Sequence, residues 1–203
     1  MSFQDKLLDS FIAFEQVIDL DNPVHTVRKN ALKRFESDGF PTKKDELWKY
    51  TSLKSIIQKD YSLSVKSNPN VGLKDIEKYS INDIDSYKIV FVDGVFNPFL
   101  SNTTHDGMDI CVLSAALSKT KYKKTITKYF NKIVPDDQSL ASLNTSYTKE
   151  GAYIHIPKSV LPEDPVQILH FSSGKNKPLW LQPRNIIIVE ENARVEIIER
   201  HQS

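Results

Sequence analysis

The stretch from Asn185 to His201, "NIIIVEENARVEIIERH", sets two short β-rich runs on either side of a polar Glu-Glu-Asn turn. Val and Ile runs bounded by turn residues read as strands, here Asn185 to Glu190 and Arg194 to Glu199. Working back towards the N-terminus, Ala152 to Ile156 and Val166 to Phe171 have the same character. The intervening pieces carry Pro, Gly, Asn and Ser and leave no room for crossover helices. Two arrangements follow: an antiparallel sandwich or meander, or the first coils of a β-solenoid in which each strand stacks on the next turn of chain. Periodicity leaves both open. No closing element follows the last run, and natural proteins usually cover such an edge. The chain therefore reads as the N-terminal portion of a longer protein.

The N-terminal half reads differently. Phe3, Leu7, Phe11, Phe14 and Ile18 recur at three and four residues, the period of an amphipathic helix over residues 3 to 19. Asp21 or Asn22 can cap a second helix with Pro23 in its first turn, and Val27, Ala31, Leu32 and Phe35 supply its apolar face before Gly39. These two helices are expected to pack as a hairpin. In "GFPTKKDELWKYT" (Gly39 to Thr51) a Thr42–Asp45 capping box predicts a short helix from Lys43 to Tyr50, with the Trp48 and Tyr50 rings anchoring a polar segment by burial. Residues 58 to 86 read as a loose connector with one short helix near Leu73 to Tyr79. "KIVFVDGVFNPFLS", from Lys88, is two strands joined at Asp93-Gly94, a strong hairpin signal, with Pro98 placing the second at an edge or at its end. Asp109 to Leu113 makes a further strand. Residues 114 to 133 are helical, with Tyr122, Ile126, Tyr129, Phe130 and Ile133 on one stripe and lysines elsewhere.

Composition narrows the function. The 203 residues hold 27 Lys plus Arg against 26 Asp plus Glu, so the whole chain presents no electrostatic footprint for nucleic acid or an anionic membrane. Six lysines between Lys119 and Lys132, with no acid among them, are read as a solvated helix face in preference to a binding face. One cysteine, Cys111, excludes an intramolecular disulfide and suits a reducing cytoplasm; between Ile110 and Val112 it reads as a small core hydrophobe. The N-terminus lacks the apolar core of a secretory signal, and no window approaches the length of a membrane span.

Searches for chemistry return little. Six scattered glycines form no phosphate-binding loop. His25, His105, His155, His170 and His201 share no metal-ligand spacing. If the strands holding His155 and His170 stack, two imidazoles meet, though a histidine satisfied separately on each strand is the favoured reading. No nucleophile elbow is present, and acid pairs such as Asp136-Asp137 and Glu190-Glu191 are expected by chance among 26 acids. No residue is assigned a catalytic, cofactor-binding or metal role, and the chain is not read as an enzyme.

The motifs themselves carry a resemblance. "GFPTKKDELWKYTSL" (Gly39 to Leu53) resembles the N-terminal signature of the SufD family, subunits of the SUF (SufBCD) iron–sulfur cluster assembly scaffold. "IVFVDGVFNPFLS" (Ile89 to Ser101) looks like that family's Val-Phe-Val-Asp-Gly hairpin, and "PRNIIIVEENARVEIIERH" (Pro183 to His201) resembles its first core coils. Asp45 stands where the family often has His, and Ser52 where it often has Pro. The first motif favours SufD over its paralogue SufB.

The resemblance implies an α+β fold: an N-terminal helical region with connector (1–87), a hairpin and helices leading into the core (88–150), and the start of a right-handed parallel β-helix (151–203). It implies a non-catalytic, cytoplasmic scaffold subunit that pairs with SufB and the ATPase SufC to build and transfer nascent clusters. The iron–sulfur cluster, and possibly flavin, would belong to the full complex, with no nucleic-acid or stable membrane partner. Pro41, Glu46, Trp48, Tyr50, Asp93 and Gly94 match the family pattern and read as structural. The competing readings are a β-solenoid carbohydrate-active enzyme and a lysine-rich module for nucleic acid or a membrane surface.

Overall fold

The computed structural model describes every residue except 64–69, 82, 106, 136, 175 and 176, so Asp136 and part of the connector lie outside the described residues. The fold is mixed α+β, with helices first and most strands later. Helix α1 spans Phe3–Glu15, opened by a reciprocal capping box between Ser2 and Asp5. It stops short of Ile18. Helix α2 spans Pro23–Asp38; the Asn22 side chain caps it and Pro23 occupies the first turn, where its missing N–H costs nothing.

The hairpin expected of α1 and α2 is a three-helix contact instead. Helix α2 packs chiefly along a helix missed in the sequence, Ser139–Ser146. Its Ser142, Thr145 and Ser146 are buried, and such small side chains let two helices approach closely. A low-contrast Ser/Thr/Asn pattern hides this helix from periodicity. Leu7, Phe35 and Leu143, one from each helix, form the shared core. Between the helices, Arg28 is 2% exposed and its Nε donates to the Thr148 carbonyl at 2.9 Å.

In chain order the remaining helices are α3 (Lys54–Ile57), α4 (Leu73–Ile76), α5 (Leu113–Ser118) and α6 (Thr120–Tyr129), the missed one being α7. Tyr122, Ile126 and Phe130 of the predicted stripe are buried, whereas Tyr129 and Ile133 are exposed. Among the described residues no helix is long and apolar enough to cross a membrane.

The strands are β1 (Tyr87–Val92), β2 (Val95–Phe96), β3 (Asp109–Val112), β4 (Ala152–Ile156), β5 (Val166–Phe171), β6 (Ile186–Val189) and β7 (Ile197–Gln202). They form a four-stranded sheet, β2-β1-β5-β7, and a three-stranded sheet, β3-β4-β6. β1, β5 and β7 run parallel, as do β4 and β6; only β2 and β3 are antiparallel to their neighbours. These pairings overturn the antiparallel sandwich or meander. From β4 onward the chain visits the two sheets alternately, and β5, β6 and β7 lie parallel on β1, β4 and β5 respectively.

The core lies between the sheets: Ile89, Phe91, Val166 and Ile168 of one face Ile110, Val112, Ile154 and Ile156 of the other. The outer faces are covered too. Tyr153 packs on α5 and α6, and Val90, Val92 and Leu169 pack on Val71, Ile76 and Leu100. Burial on both faces explains why β1 reads as a continuous apolar run. Since β1 joins β2 to β5, the sheets run continuously across residues 150 and 151.

At the entry to β4, Gly151 has φ 150°, and a Cβ built there would lie 1.9 Å from the Arg184 carbonyl oxygen. The close approach is held by Arg184 N–H donating to the Glu150 carbonyl at 3.0 Å. The last strand starts three residues later than the sequence suggests, at Ile197, because Asn192 takes a left-handed φ of 57° and prolongs the turn.

Candidate functional site

Side chains on a strand alternate between faces, and a parallel ladder places matched residues side by side. In the four-stranded sheet Phe91 pairs with His170, and His170 with His201, in one row across β1, β5 and β7. The rings stack at 4.9 Å and 4.5 Å between centroids, with interplanar angles of 11° and 9°. Glu199 precedes His201 by two residues and so shares its face, the same face that carries Val166, Ile168 and Ile197 inward. Two imidazoles and a carboxylate thus occupy the core-facing side of the sheet, where apolar side chains come before them.

The Glu199 carboxylate is the hub. Its Oε1 lies 3.1 Å from His201 Nε2 and 3.5 Å from His170 Nε2, and it accepts from Asn185 Nδ2 at 3.0 Å. The longer contact is an ion-pair distance rather than a hydrogen bond, and His170 Nε2 is buried without a hydrogen-bond partner. His170 is 8% exposed, while Glu199 and His201 are exposed. Burial, aided by the neighbouring His201 and opposed by Glu199, pushes the His170 pKa down to about 4, so this ring is neutral near pH 7. Ligand-type atoms of His170, Glu199 and His201 all lie within 4.8 Å of one another. His170 and His201 line a cavity of about 1020 Å³ together with Phe91, Tyr147, Glu150 and Trp180. Burial also raises the Glu150 pKa there.

His155 does not meet His170. It lies in the other sheet, opposite Asp109 and Ile188, because β4 and β5 belong to different sheets. Its Nε2 contacts Glu190 at 2.9 Å and its Nδ1 contacts Asp109 at 3.6 Å. Burial opposes ionisation of Asp109, but hydrogen bonds from Lys121 and Tyr122 outweigh it and hold the carboxyl below its usual range. The imidazole pair that forms is His170–His201. Its sequence signal was Glu-x-His at 199–201, two ligand types on one strand face; the register that adds His170 could not be read from spacing.

The six motif residues separate into two groups. Asp93 and Gly94 build the β1–β2 turn at φ 51° and 79°, and the buried Asp93 carboxylate accepts from Ser173 N–H and Oγ, both at 2.8 Å. Around Pro41 the predicted helix reduces to a 3-10 turn at Glu46–Trp48, since the Asp45 carboxylate turns back to Thr42 N–H at 2.6 Å. Glu46 pairs with Lys49, Trp48 is half-buried, and Tyr50 is 90% exposed, so the Tyr50 ring does not anchor the segment within this chain. Phe40 does: it packs with Phe3, Phe35 and Trp180 at centroid distances of 5.9, 5.1 and 6.1 Å.

Cys111 is half-buried and burial raises its pKa, as suits a core position. On the lysine-rich helix Lys121 contacts Asp109 at 2.9 Å, Lys123 contacts Asp19 at 3.9 Å, and Lys128 lies over the Tyr129 ring.

Residues 1–168 match the family model described as the SufBD protein N-terminal region. The chain belongs to the SufBD family. It is similar to the iron–sulfur cluster assembly SufBD family protein slr0076 of Synechocystis, 26% identical over 174 residues, covering 86% of this chain and 38% of the relative. The similarity to SufBD family protein slr0074 of the same organism is 30% identity over 117 residues, covering 54% of this chain and 24% of the relative. The chain thus spans well under half the length of these SufBD relatives, both named for iron–sulfur cluster assembly.

Proposed function

We propose that the protein is a non-catalytic scaffold subunit for iron–sulfur cluster assembly, of the SufD type, pairing with SufB and SufC homologues in the cytoplasm. The observation that carries this reading is the SufBD family match over residues 1–168. The SufD type rests on the Gly39 to Leu53 motif. In this reading the cluster is cargo, built and handed on by the complex, and ATP is consumed by the SufC partner.

The alternating visits of the chain to two sheets support continuation of β4 to β7 as a right-handed parallel β-helix. The decisive experiment is affinity capture of the full natural protein from its host, scored by mass spectrometry. SufB and SufC homologues recovered in near-equal amounts support the scaffold. Their absence, with carbohydrate or nucleic acid recovered instead, refutes it.

A further inference from the structure

We propose that His170, Glu199 and His201 form a mononuclear site for a first-row divalent transition-metal ion, held through the two imidazole Nε2 atoms and one Glu199 oxygen. Glu199 and His201 are exposed and His170 is buried, and a buried polar group costs free energy unless it is paired or coordinates a metal. His170 Nε2 is such a group: buried, without a hydrogen-bond partner and turned towards Glu199.

Both separations from Glu199 match coordination, the two Nε2 atoms lie within 4.8 Å of each other, and the exposed His201 ring must turn out of its stack on His170 for both lone pairs to meet one ion. A tetrahedral ion with bonds of about 2.0–2.1 Å separates its ligand atoms by roughly 3.3–3.4 Å. The observed separations of 3.5 Å and 3.1 Å from Glu199 Oε1 bracket that value. Asn185 Nδ2 steadies the carboxylate from outside the ligand set, as metal-binding carboxylates require. Three protein ligands leave a fourth position, and the cavity supplies room for it. Two nitrogens and one oxygen suit zinc or iron(II), whereas calcium and magnesium prefer oxygen alone. Coordination depends only on this geometry, so it stands or falls separately from the scaffold reading.

The test is isothermal titration of ZnCl₂ into the full natural protein, purified without a polyhistidine tag and stripped with chelator. One equivalent should bind, excess MgCl₂ should not displace it, and Co²⁺ should give the visible bands of a low-symmetry site. His201→Ala and Glu199→Gln, both at partly open positions, should each weaken zinc binding at least tenfold. His155→Ala, in the separate Asp109–Glu190 cluster, should leave it unchanged. Absence of stoichiometric binding to the unaltered protein would leave only a stack of rings and overturn the site. So would equal losses in His155→Ala and His201→Ala, or undiminished affinity in Glu199→Gln and His201→Ala with unchanged thermal unfolding.

Discussion

Replacing Gly151 with alanine probes how closely successive strand pairs are stacked. The new methyl carbon would start 1.9 Å from the Arg184 carbonyl oxygen and 2.9 Å from the Arg184 amide nitrogen. An ordinary contact begins at about 3.4 Å, so the two backbones must part by roughly 1.5 Å. Neither can swing aside as a side chain would. Arg184 N–H is bonded to the Glu150 carbonyl at 3.0 Å, and Ala152 N–H to Asn185 Oδ1 at 2.8 Å. Holding a non-glycine residue in a sparsely populated backbone region costs about 1–3 kcal/mol, and overpacking costs about 1–3 kcal/mol more. A weakened hydrogen bond adds about 1 kcal/mol. The sum is about 3–7 kcal/mol with a midpoint near 5, equivalent to a fall in Tm of roughly 10–20 °C for a chain of this size. Differential scanning calorimetry measures it. Gly174→Ala is the control: φ is 65°, but nothing among the described residues lies within 4 Å of the new Cβ, so only backbone strain of about 1 kcal/mol applies. If the two variants melt within 2 °C of each other, the backbone contact at Gly151 does not constrain the stacking.

Phe40→Ala should destabilise the helical region by about 3 kcal/mol, because it empties the ring cluster with Phe3, Phe35 and Trp180, while Tyr50→Ala should cost under about 0.5 kcal/mol; urea midpoints of the two decide between Phe40 and Tyr50 as the anchor. Asp93→Ala should cost about 2 kcal/mol, since it leaves Ser173 without its acceptors and removes a residue tolerant of positive φ, and thermal melts should show Asp93→Asn retaining most of that stability. Burial raises the Glu150 pKa, so the folded state holds that proton more tightly than the unfolded chain, and the group's contribution declines as pH rises from about 4.5 through the folded value. Glu150→Gln should therefore raise stability at pH 7 with an advantage that vanishes below pH 4.5, measured by denaturant titration across that range.

The elements most legible in the sequence were those whose local chemistry agrees with their packing. The Asp93-Gly94 hairpin, the Asn22-Pro23 helix start and the four strands after Gly151 belong here, the last of them displaced by three residues. Helix α7 was illegible because its burial depends on small polar residues facing α2, a tertiary fact with no apolar period. Tyr50 departs for the opposite reason: composition suggests burial for an aromatic ring, but exposure is decided by what stands opposite, and among the described residues this ring stays 90% exposed. The His170–Glu199–His201 group was half visible. Alternation along β7 joins Glu199 to His201, whereas the third member arrives through a parallel register that spacing alone could not supply.

Each sheet is bounded on one side by its single antiparallel strand, β2 in one and β3 in the other, and all later strands are added in parallel on the opposite side. The sheets therefore have a polarity, with a closed edge and an edge to which strands are added. Each of β5, β6 and β7 takes its register from the strand it lies parallel to, β1, β4 and β5. A slip of one residue where His170 meets Phe91 would turn His170 to the outer face. That displacement would be inherited by β7, and the imidazole row would be written on the wrong side of the sheet.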